Sequence, residues 1–259
     1  MRFDPDRLDG RDPKAVAALL PLVAKLNAYY MRVRREGLEH LESVAGEPVL
    51  FVGNHNSGIA GPDVACTLGT LWDTFGAEHP IYALAHDYVM RQLRAIGRAI
   101  QPYGALRASP VNALRALESG AKVLVYPGGD IEAFRHSRHR DVVTLGERTG
   151  FVRVAQRAGV AIVPIVAQGA HRSAWIFHDG EGIVRALGLR QRARIARFPL
   201  ALALPWGLAV GPWLPYLPLP FSVKLRALAP IRVAPNDDPR EVAGEVRTRM
   251  QRALDEMRA

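Results

Sequence analysis

PVLFVGNHNSGIAGPD, residues 48–63, is the segment that indicates the architecture most directly. The run at 48–53 is apolar and ends at a glycine, which is typical of a buried strand in a parallel sheet. A polar loop at 54–61 follows, and Pro62 stands where helices commonly begin. A strand, a polar loop and a helix in this order favour an α/β fold, in which functional loops lie at the carboxyl ends of the strands.

Apolar runs continue to alternate with helix-like patterns on both sides of this segment. Further strands are predicted at 81–86, 122–126, 161–167 and 222–228, a short extended piece at 100–105, and helices at 13–36, 62–75, 87–98, 110–119, 146–158 and 238–257. This order predicts an α/β fold with a mostly parallel central sheet flanked by helices. We divide the chain into an N-terminal helical extension at 1–36 and one α/β domain at 37–259.

The charge balance points to an anionic partner. The chain has 259 residues, with 34 Lys and Arg against 25 Asp and Glu, for a formal net charge of +9. Nucleic acid, a membrane surface and a phosphorylated substrate all suit such a charge. We expect no nucleic acid, because zinc-finger spacing, RNP aromatics and basic heptads do not occur. One cysteine, Cys66, excludes an intramolecular disulfide and a Cys-based metal cage.

A membrane partner is indicated by residues 198–223, which carry no charge and contain six prolines. The prolines disfavour a continuous transmembrane helix, so we predict a partly helical segment in the membrane interface. Basic and aromatic residues in and before this segment support that interpretation: Arg185, Arg190, Arg192, Arg194, Arg197, Trp206, Trp213 and Tyr216. We expect no cleavable signal peptide, because the acidic start lacks an apolar core. The expected location is cytoplasmic, peripheral on the inner face of the cell membrane, with an anionic membrane surface as partner. The alternative is a Pro-rich segment packed on the protein itself.

The loop at 54–61 carries the first candidate for chemistry. A His that leaves a buried strand is a candidate general base, and a carboxylate that reaches back fixes its tautomer. We predict His55 as the base and Asp63 as its partner, because the loop glycines allow the chain to fold back. The alternative for Asp63 is a helix N-terminal carboxylate. Ser57 is interpreted as a loop cap, because the chain has no Gly-x-Ser-x-Gly nucleophile elbow.

The second candidate segment, YPGGDIEAFR at 126–135, also follows a predicted strand. Its paired glycines, Gly128 and Gly129, allow close backbone approach to a ligand. Glu132 and Arg135 then present opposite charges three residues apart. A turn followed by a surface ion pair is the simpler interpretation of this segment taken alone.

Two further histidine segments are candidates for binding a ligand, and the first of them suits a phosphate better than a metal ion. His136 and His139 have a helical spacing that suits a metal, but three arginines at 135–140 oppose a cation, so we expect no metal. A basic rim that contacts phosphates of a cofactor or a lipid is the preferred interpretation. His171 and Arg172 follow the fourth strand and are candidates to line the same cleft.

Taken together, these segments resemble the glycerophospholipid and lysophospholipid acyltransferase superfamily. Four blocks carry the resemblance: Asn54-His55 with Pro62-Asp63, YGALRAS at 103–109, Pro127-Gly128-Gly129 with Glu132, and VPIV at 163–166. The PGG-x-x-E form is similar to the branch that contains diacylglycerol acyltransferases and related plant and bacterial proteins. One departure is the distance of eight positions from His55 to Asp63, three more than in the family's block.

The resemblance implies an O-acyltransferase of the α/β acyltransferase type. Such an enzyme moves a fatty acyl group from an acyl thioester, either acyl-CoA or acyl carrier protein, to a hydroxyl of a lysophospholipid, glycerolipid or glycolipid. It implies catalytic roles for His55 and Asp63, and substrate-binding roles for Asn54, Ser57, Arg107, Gly128, Gly129, Glu132 and Arg135. Backbone amides near Gly128 and Gly129 are candidate donors to the thioester oxygen. Beyond the thioester co-substrate, no cofactor and no metal are expected.

Two alternatives remain open from the residues themselves. The first is a non-catalytic protein that binds a membrane surface or an anionic ligand. The second is a thioesterase or lipid hydrolase that uses the same site with water as the acceptor.

Overall fold

The computed structural model describes residues 3–56, 61–211 and 218–258. Ser57 of the first loop, and Trp213 and Tyr216 of the uncharged segment, lie outside the described residues. The strands, numbered along the chain, are β1 (Arg34–Glu36), β2 (Val49–Gly53), β3 (Ile81–Ala85), β4 (Ala105–Arg107), β5 (Lys122–Val125), β6 (Ala161–Gln168), β7 (Trp175–His178), β8 (Leu200–Ala203), β9 (Gly207–Val210) and β10 (Lys224–Ala227). The α-helices are α1 (Pro13–Lys25), α2 (Leu38–Glu42), α3 (Pro62–Phe75), α4 (Arg94–Ile100), α5 (Pro110–Glu118), α6 (Gly129–Ala133), α7 (Gly150–Ala158), α8 (Glu181–Ala186), α9 (Leu189–Ala193) and α10 (Pro239–Arg258).

A seven-stranded sheet forms the centre of the described part of the chain, with the strand order β1-β10-β6-β2-β5-β3-β4. All its neighbouring strands are parallel except β10 and β6, which run antiparallel. This arrangement confirms the predicted α/β fold with a mostly parallel sheet. Because β2, β5 and β6 are parallel neighbours, the loops after them meet at one edge of the sheet.

The central strand β2 is apolar at every position because both of its faces are covered. Leu50 and Val52 belong to the core under α5, α7 and α10. Val49 and Phe51 belong to the core on the opposite face, to which Val16 of α1 and Leu71 of α3 also contribute. The strand is thereby buried on both faces, and the loop that follows it starts from a fixed position.

The N-terminal region differs from the predicted helix at 13–36. The α-helix ends at Lys25, and one π-helical turn (Leu26–Tyr30) follows. The chain then forms β1, in which Arg34 pairs with Lys224 of β10. Pairing with a strand almost two hundred residues away overrides the local helical preference, so the predicted helix is too long. The division of the chain at residue 36 stays a prediction, although the segment before it supplies both a sheet strand and a core residue.

A second, three-stranded antiparallel sheet has the order β7-β8-β9. The partly helical segment predicted within 198–223 is wrong for its described first half, which forms the hairpin of β8 and β9. Pro199 precedes β8 and Pro205 lies in the turn, so neither proline removes a ladder hydrogen bond from a central strand. Over the described ranges, the helices are all too short or too polar to cross a bilayer.

Lys122 at the start of β5 offers a test of how the sheet is anchored. Its ammonium is buried and donates to the backbone carbonyls of Val44, Ala45 and Glu47 at 2.6–3.0 Å. Burial also lowers the pKa of Lys122. Lys122→Met removes the donor from three carbonyls, of which that of Val44 is buried, so we expect the free energy of unfolding to fall by about 3 kcal/mol in urea denaturation. Lys14→Met, at an exposed position on α1, is the control and should stay within about 0.5 kcal/mol of wild type. Equal stability of the two variants would contradict the anchoring role of Lys122.

Candidate active site

His55 and Asp63 lie in hydrogen-bonding contact despite their separation in sequence. His55 follows β2, and Asp63 occupies the first turn of α3. His55 Nδ1 lies 3.0 Å from Asp63 Oδ2, and the backbone N–H of Asn56 donates to the same carboxylate oxygen at 3.0 Å. Asp63 is fully buried, whereas the His55 side chain is 17% exposed. A carboxylate at Nδ1 places the ring proton there, so Nε2 is left as the hydrogen-bond acceptor.

Tyr126, the last residue before the PGG segment, packs against the His55 ring. The two rings are stacked, with centroids 4.2 Å apart and an angle of 16° between their planes. Gly53 makes this possible, because a Cβ there would lie 2.4 Å from Tyr126 Cε1. Burial raises the pKa of Tyr126 well above its usual value, so the phenol is neutral.

Glu132 joins the two candidate segments from a fully buried position. Its Oε2 accepts a hydrogen bond from the backbone N–H of His55 at 2.9 Å, and its Oε1 accepts one from the N–H of Thr144 at 2.8 Å. Gly128 lets the carboxylate fold back, because a Cβ at that position would lie 2.3 Å from Glu132 Oε2. Burial raises the pKa of Glu132 to about 7, against the opposing effects of Arg135 and the two amide donors.

Arg135 and Asn54 also use their polar atoms inside the protein. The Arg135 guanidinium donates to the carbonyls of His55, Glu132, His139 and Arg140. Asn54 makes a pair of hydrogen bonds with the backbone of β6, donating to Ala167 O at 3.1 Å and accepting from Ala167 N at 2.7 Å. Both side chains are buried, and burial lowers the pKa of Arg135. They therefore position the His loop rather than present free groups to a substrate.

The predicted amide donors are in part already engaged. Gly129 has a positive φ of 55°, and its N–H donates to Tyr126 O at 3.1 Å to close a turn. The Gly129 amide is therefore engaged in this turn, and its role as a donor to the thioester oxygen stays a prediction.

Arg107 does not join the group around His55. It ends β4 at the edge of the sheet, three strands from β2, which is roughly 14 Å at the usual strand spacing. Its Nε donates to Asp6 at 2.6 Å, and its Nη1 lies 3.5 Å from Asp87. The bond to Asp6 raises the pKa of Arg107. This guanidinium ties the N-terminal segment to the sheet edge, and its substrate-binding role stays a prediction.

Asn56 and Tyr126 belong to the site but had no assigned role in the sequence prediction, whereas His171 was predicted as a candidate to line the cleft. Asn56 Nδ2 donates to Arg140 O at 2.8 Å, and its Oδ1 accepts from the N–H of His171 at 3.3 Å. The side chain thus connects the loops that follow β2, α6 and β6. The sequence signal for Asn56 was its position next to His55 in the Asn-His-Asn triplet. That signal could not predict its partners, Arg140 and His171, which lie more than eighty residues away.

An apolar cavity of about 240 Å³ opens on the β5 side of His55. It lies between α5 and α7 at the ends of β3 and β5, with Tyr126 and Pro127 in its wall. Its apolar lining includes Leu84, Ala113, Val125, Phe151 and Val154. In the described part of the chain, no group of three or more His, Cys, Asp or Glu side chains is placed to hold a metal ion.

Comparison with known proteins now defines the class. The family profile described as diacylglycerol acyltransferase matches residues 26–257. The chain therefore belongs to the diacylglycerol acyltransferase family, which confirms the predicted superfamily and, at family level, the prediction of an O-acyltransferase.

Individual relatives are more distant. The chain is 28% identical over 254 residues to an uncharacterised protein of Mycobacterium tuberculosis, covering 95% of this chain and 67% of that protein. It is 30% identical over 137 residues to phytyl ester synthase 1 of Arabidopsis thaliana, covering 47% of this chain but only 18% of the plant protein. The crystal structure of the 1-acyl-sn-glycerophosphate acyltransferase PlsC of Thermotoga maritima superposes with a TM-score of 0.58 at 15% identity, covering 95% of this chain and 83% of that one. This last match shows the shared fold.

The buried Glu132 carboxyl predicts a pH dependence of defined sign. Its pKa is about 7 in the folded protein and 4.5 in the unfolded chain, so its contribution to stability is full below pH 4.5 and is lost as pH rises to about 7. Glu132→Gln removes this titration. We expect the free energy of unfolding of wild type, relative to Glu132→Gln, to fall by up to about 3 kcal/mol between these pH values in urea denaturation.

The quantity to measure is the difference in free energy of unfolding between wild type and Glu132→Gln, because His171 also titrates and affects the wild-type curve. Burial lowers the pKa of His171 from 6.5 to about 3, so its contribution is present above pH 6.5 and is lost as pH falls towards 3. This trend opposes that of Glu132 but is shared by wild type and Glu132→Gln, and it cancels in their difference. A difference that stays flat or rises with pH would contradict the raised pKa of Glu132.

Proposed function

We propose that this protein transfers a fatty acyl group from an acyl thioester, acyl-CoA or acyl carrier protein, to a hydroxyl of a lysophospholipid, glycerolipid or glycolipid. The observation that carries the proposal is His55, held through Nδ1 by the buried Asp63 at 3.0 Å. An alcohol is a weak nucleophile at neutral pH, so a positioned base is what such a transfer needs. Family membership supports the same reaction class.

In the proposed reaction one proton is transferred, a carbon–oxygen bond forms and a carbon–sulfur bond breaks. His55 Nε2 accepts the proton of the acceptor hydroxyl while its oxygen attacks the thioester carbonyl carbon. A tetrahedral intermediate forms and collapses, the carbon–sulfur bond breaks, and the leaving thiolate takes the proton back from the imidazolium. Asp63 stabilises the imidazolium in between, and Tyr126 keeps the ring plane fixed by stacking.

The remaining motif residues act as positioning residues in this proposal. Glu132 accepts from the N–H of His55, and Arg135 donates to the carbonyl of His55. Asn54, the residue before His55, is hydrogen-bonded to Ala167 of β6. The apolar cavity of about 240 Å³ beside Tyr126 accommodates the acyl chain. Its mostly apolar lining suits a hydrocarbon chain.

The role of His55 is tested by acyl transfer from labelled acyl-CoA to a panel of lysolipids and glycerolipids, with products identified by mass spectrometry. His55→Ala should keep the wild-type melting temperature and reduce transfer by at least about 100-fold, the scale of lost acid–base help. Asp63→Asn should also reduce it, because an amide leaves the ring tautomer unfixed. His79→Ala, at an exposed histidine outside the site, is the matched control and should transfer normally. A folded His55→Ala protein with near-normal turnover contradicts the proposal, and free fatty acid as the sole product identifies a hydrolase.

We further propose that the three-stranded sheet rests on an anionic membrane, which places the protein peripherally on the inner, cytoplasmic face of the cell membrane. The sheet's inner face has small side chains, Ala201, Ala203 and Ala209, packed in a core near Phe134. Its outer face carries large apolar side chains that stand exposed: Trp175, Phe177, Leu202, Leu208 and Val210. Trp175, Leu202 and Leu208 lie side by side on adjacent strands, so they form a continuous apolar patch.

Arginines near this sheet supply the charge that selects anionic lipid. Helices α8 and α9 lie between β7 and β8 in the chain, and Arg190, Arg192 and Arg194 on and after α9 are exposed. Arg197 is already paired with Asp179 and Glu181, so it contributes less. Basic residues beside exposed Trp and Leu match the headgroup region of an anionic bilayer.

Vesicle co-sedimentation tests this surface with two matched pairs of variants. Changing Trp175 and Trp206 to Ser should remove most of the salt-resistant binding, whereas Tyr29→Ser, also at an exposed aromatic, should not. Changing Arg190, Arg192 and Arg194 together to Gln should weaken binding to anionic vesicles on the order of 100-fold at low salt, at about 1 kcal/mol per charge. The same changes at the exposed Arg153, Arg157 and Arg247 are the control. Vesicle binding at high salt that persists unchanged in the Trp variant would contradict the proposed surface.

A further inference from the structure

A cleft beside His55, on the side opposite the apolar cavity, has an excess of arginine that the acyl-transfer step leaves unused. Its larger part has a volume of about 620 Å³ and its smaller part about 170 Å³. We call this space the basic cleft and define it by the residues that line both parts: Arg140, Asp141, His171, Arg172 and Arg258. They come from the loop after α6, the turn after β6 and the last turn of α10, so the cleft exists only in the folded protein.

Positive charge prevails in the basic cleft. Asp141 is its one acidic lining residue among the described residues, and it lies 3.5 Å from Arg140 Nε and 3.4 Å from Arg258 Nε. Two of the three arginines thus share one carboxylate, and Arg172 has no ion-pair partner within the described ranges. Arg140 and Arg258 are each more than half exposed, so their guanidinium groups are free to turn towards a ligand.

His171 at the wall of the cleft has hydrogen-bonding capacity that the described residues do not use. The residue is 4% exposed, and both of its ring nitrogens are buried without a partner in the described part of the chain. Burial, with the charges of Arg135 and Arg140, lowers the pKa of His171 to about 3, so its ring is neutral and carries one N–H. Buried polar atoms are normally paired, and a ligand oxygen is the partner that an N–H in an arginine-lined cleft would take.

The basic cleft is coupled directly to the catalytic loop. Asn56, the neighbour of His55, lines the smaller part of the cleft. It also donates to Arg140 O and accepts from the N–H of His171. A ligand in the cleft therefore lies one residue from the proposed base, and the apolar cavity lies on the other side of the same His. This arrangement suits a substrate with an anionic group at one end and an apolar chain at the other.

We propose that the basic cleft binds a phosphate group of one of the two substrates, through Arg140, Arg172 and Arg258 with His171 as a neutral donor. Planar guanidinium groups pair with phosphate oxygens in bidentate fashion, which makes several arginines around one space a phosphate site. Arg107 and Arg135 cannot serve, because their donors are already bound to Asp6 and to backbone carbonyls. The inference rests on the proposed function for the phosphate's source: the nucleotide part of acyl-CoA or the head group of a phosphorylated lipid acceptor.

Calorimetric titration of the full chain with soluble probes tests the site without any turnover. Adenosine 3′,5′-bisphosphate represents the donor, glycerol 3-phosphate represents a phosphorylated acceptor, and adenosine and glycerol are their uncharged counterparts. We expect one phosphorylated probe to bind, its uncharged counterpart not to bind, and Arg172→Gln and Arg258→Gln each to weaken binding roughly 10-fold. Arg247→Gln, at an exposed arginine on α10 outside the cleft, is the matched control and should bind as wild type.

The outcomes separate this proposal from the acyl-transfer proposal. Binding of the bisphosphate identifies the thioester donor as the source of the phosphate, and binding of glycerol 3-phosphate identifies the acceptor; either result supports the site. His55→Ala should still bind the probe that wild type binds, since His55 is outside the cleft lining. If neither phosphorylated probe binds, or if Arg247→Gln weakens binding as much as Arg172→Gln, the phosphate site is overturned. Normal transfer by His55→Ala would instead overturn the catalytic assignment and leave the phosphate site intact.

Discussion

The buried carboxylate of Glu132 is the contact on which the geometry of the site depends. One of its oxygens holds the N–H of His55 and the other holds the N–H of Thr144. Arg135, three residues later, donates to the carbonyl of the same His55. The segment from Pro127 to Arg135 thus hydrogen-bonds both the N–H and the carbonyl of His55. Gly128 is required because a side chain at that position would occupy the space of the Glu132 carboxylate. In physical terms, the second motif positions the first one.

The order of strands gives the site two unlike sides. His55 follows β2, whose neighbours are β5 on one side and β6 on the other. The loop after β5 borders the apolar cavity, and the turn after β6 borders the basic cleft. A parallel sheet places all three loops at one edge, so an amphipathic substrate has one orientation in which its chain, its reacting carbon and its anionic group all meet suitable surfaces.

Strands and helices with strong local patterns were predictable from the sequence, whereas features made by distant partners were not. Pro62–Phe75 matches its predicted range because a proline start and a following glycine bound it. The β1 strand was missed because its three residues, Arg-Arg-Glu, have no apolar alternation and depend on pairing with β10. The hairpin of β8 and β9 was missed because small alanines face the protein and large apolar side chains face outward, so the usual alternation of apolar and polar residues is absent.

The same distinction separates the site residues. A His at a strand end and a carboxylate beyond a glycine-rich loop are local signals, and they predicted the pair that the structure brings to 3.0 Å. The environment of each charged side chain is not a local property: Glu132 and Arg135 have the composition of a surface ion pair yet are buried, and Arg107 is neutralised by an aspartate a hundred residues earlier. The arginines that line the basic cleft lie outside the motifs: Arg140 after α6, Arg172 after β6 and Arg258 at the end of α10. Because Glu132 and Arg135 are used to hold the backbone of His55, we assign recognition of the substrate's phosphate to these three arginines, whose guanidinium groups take no part in the contacts that hold the base.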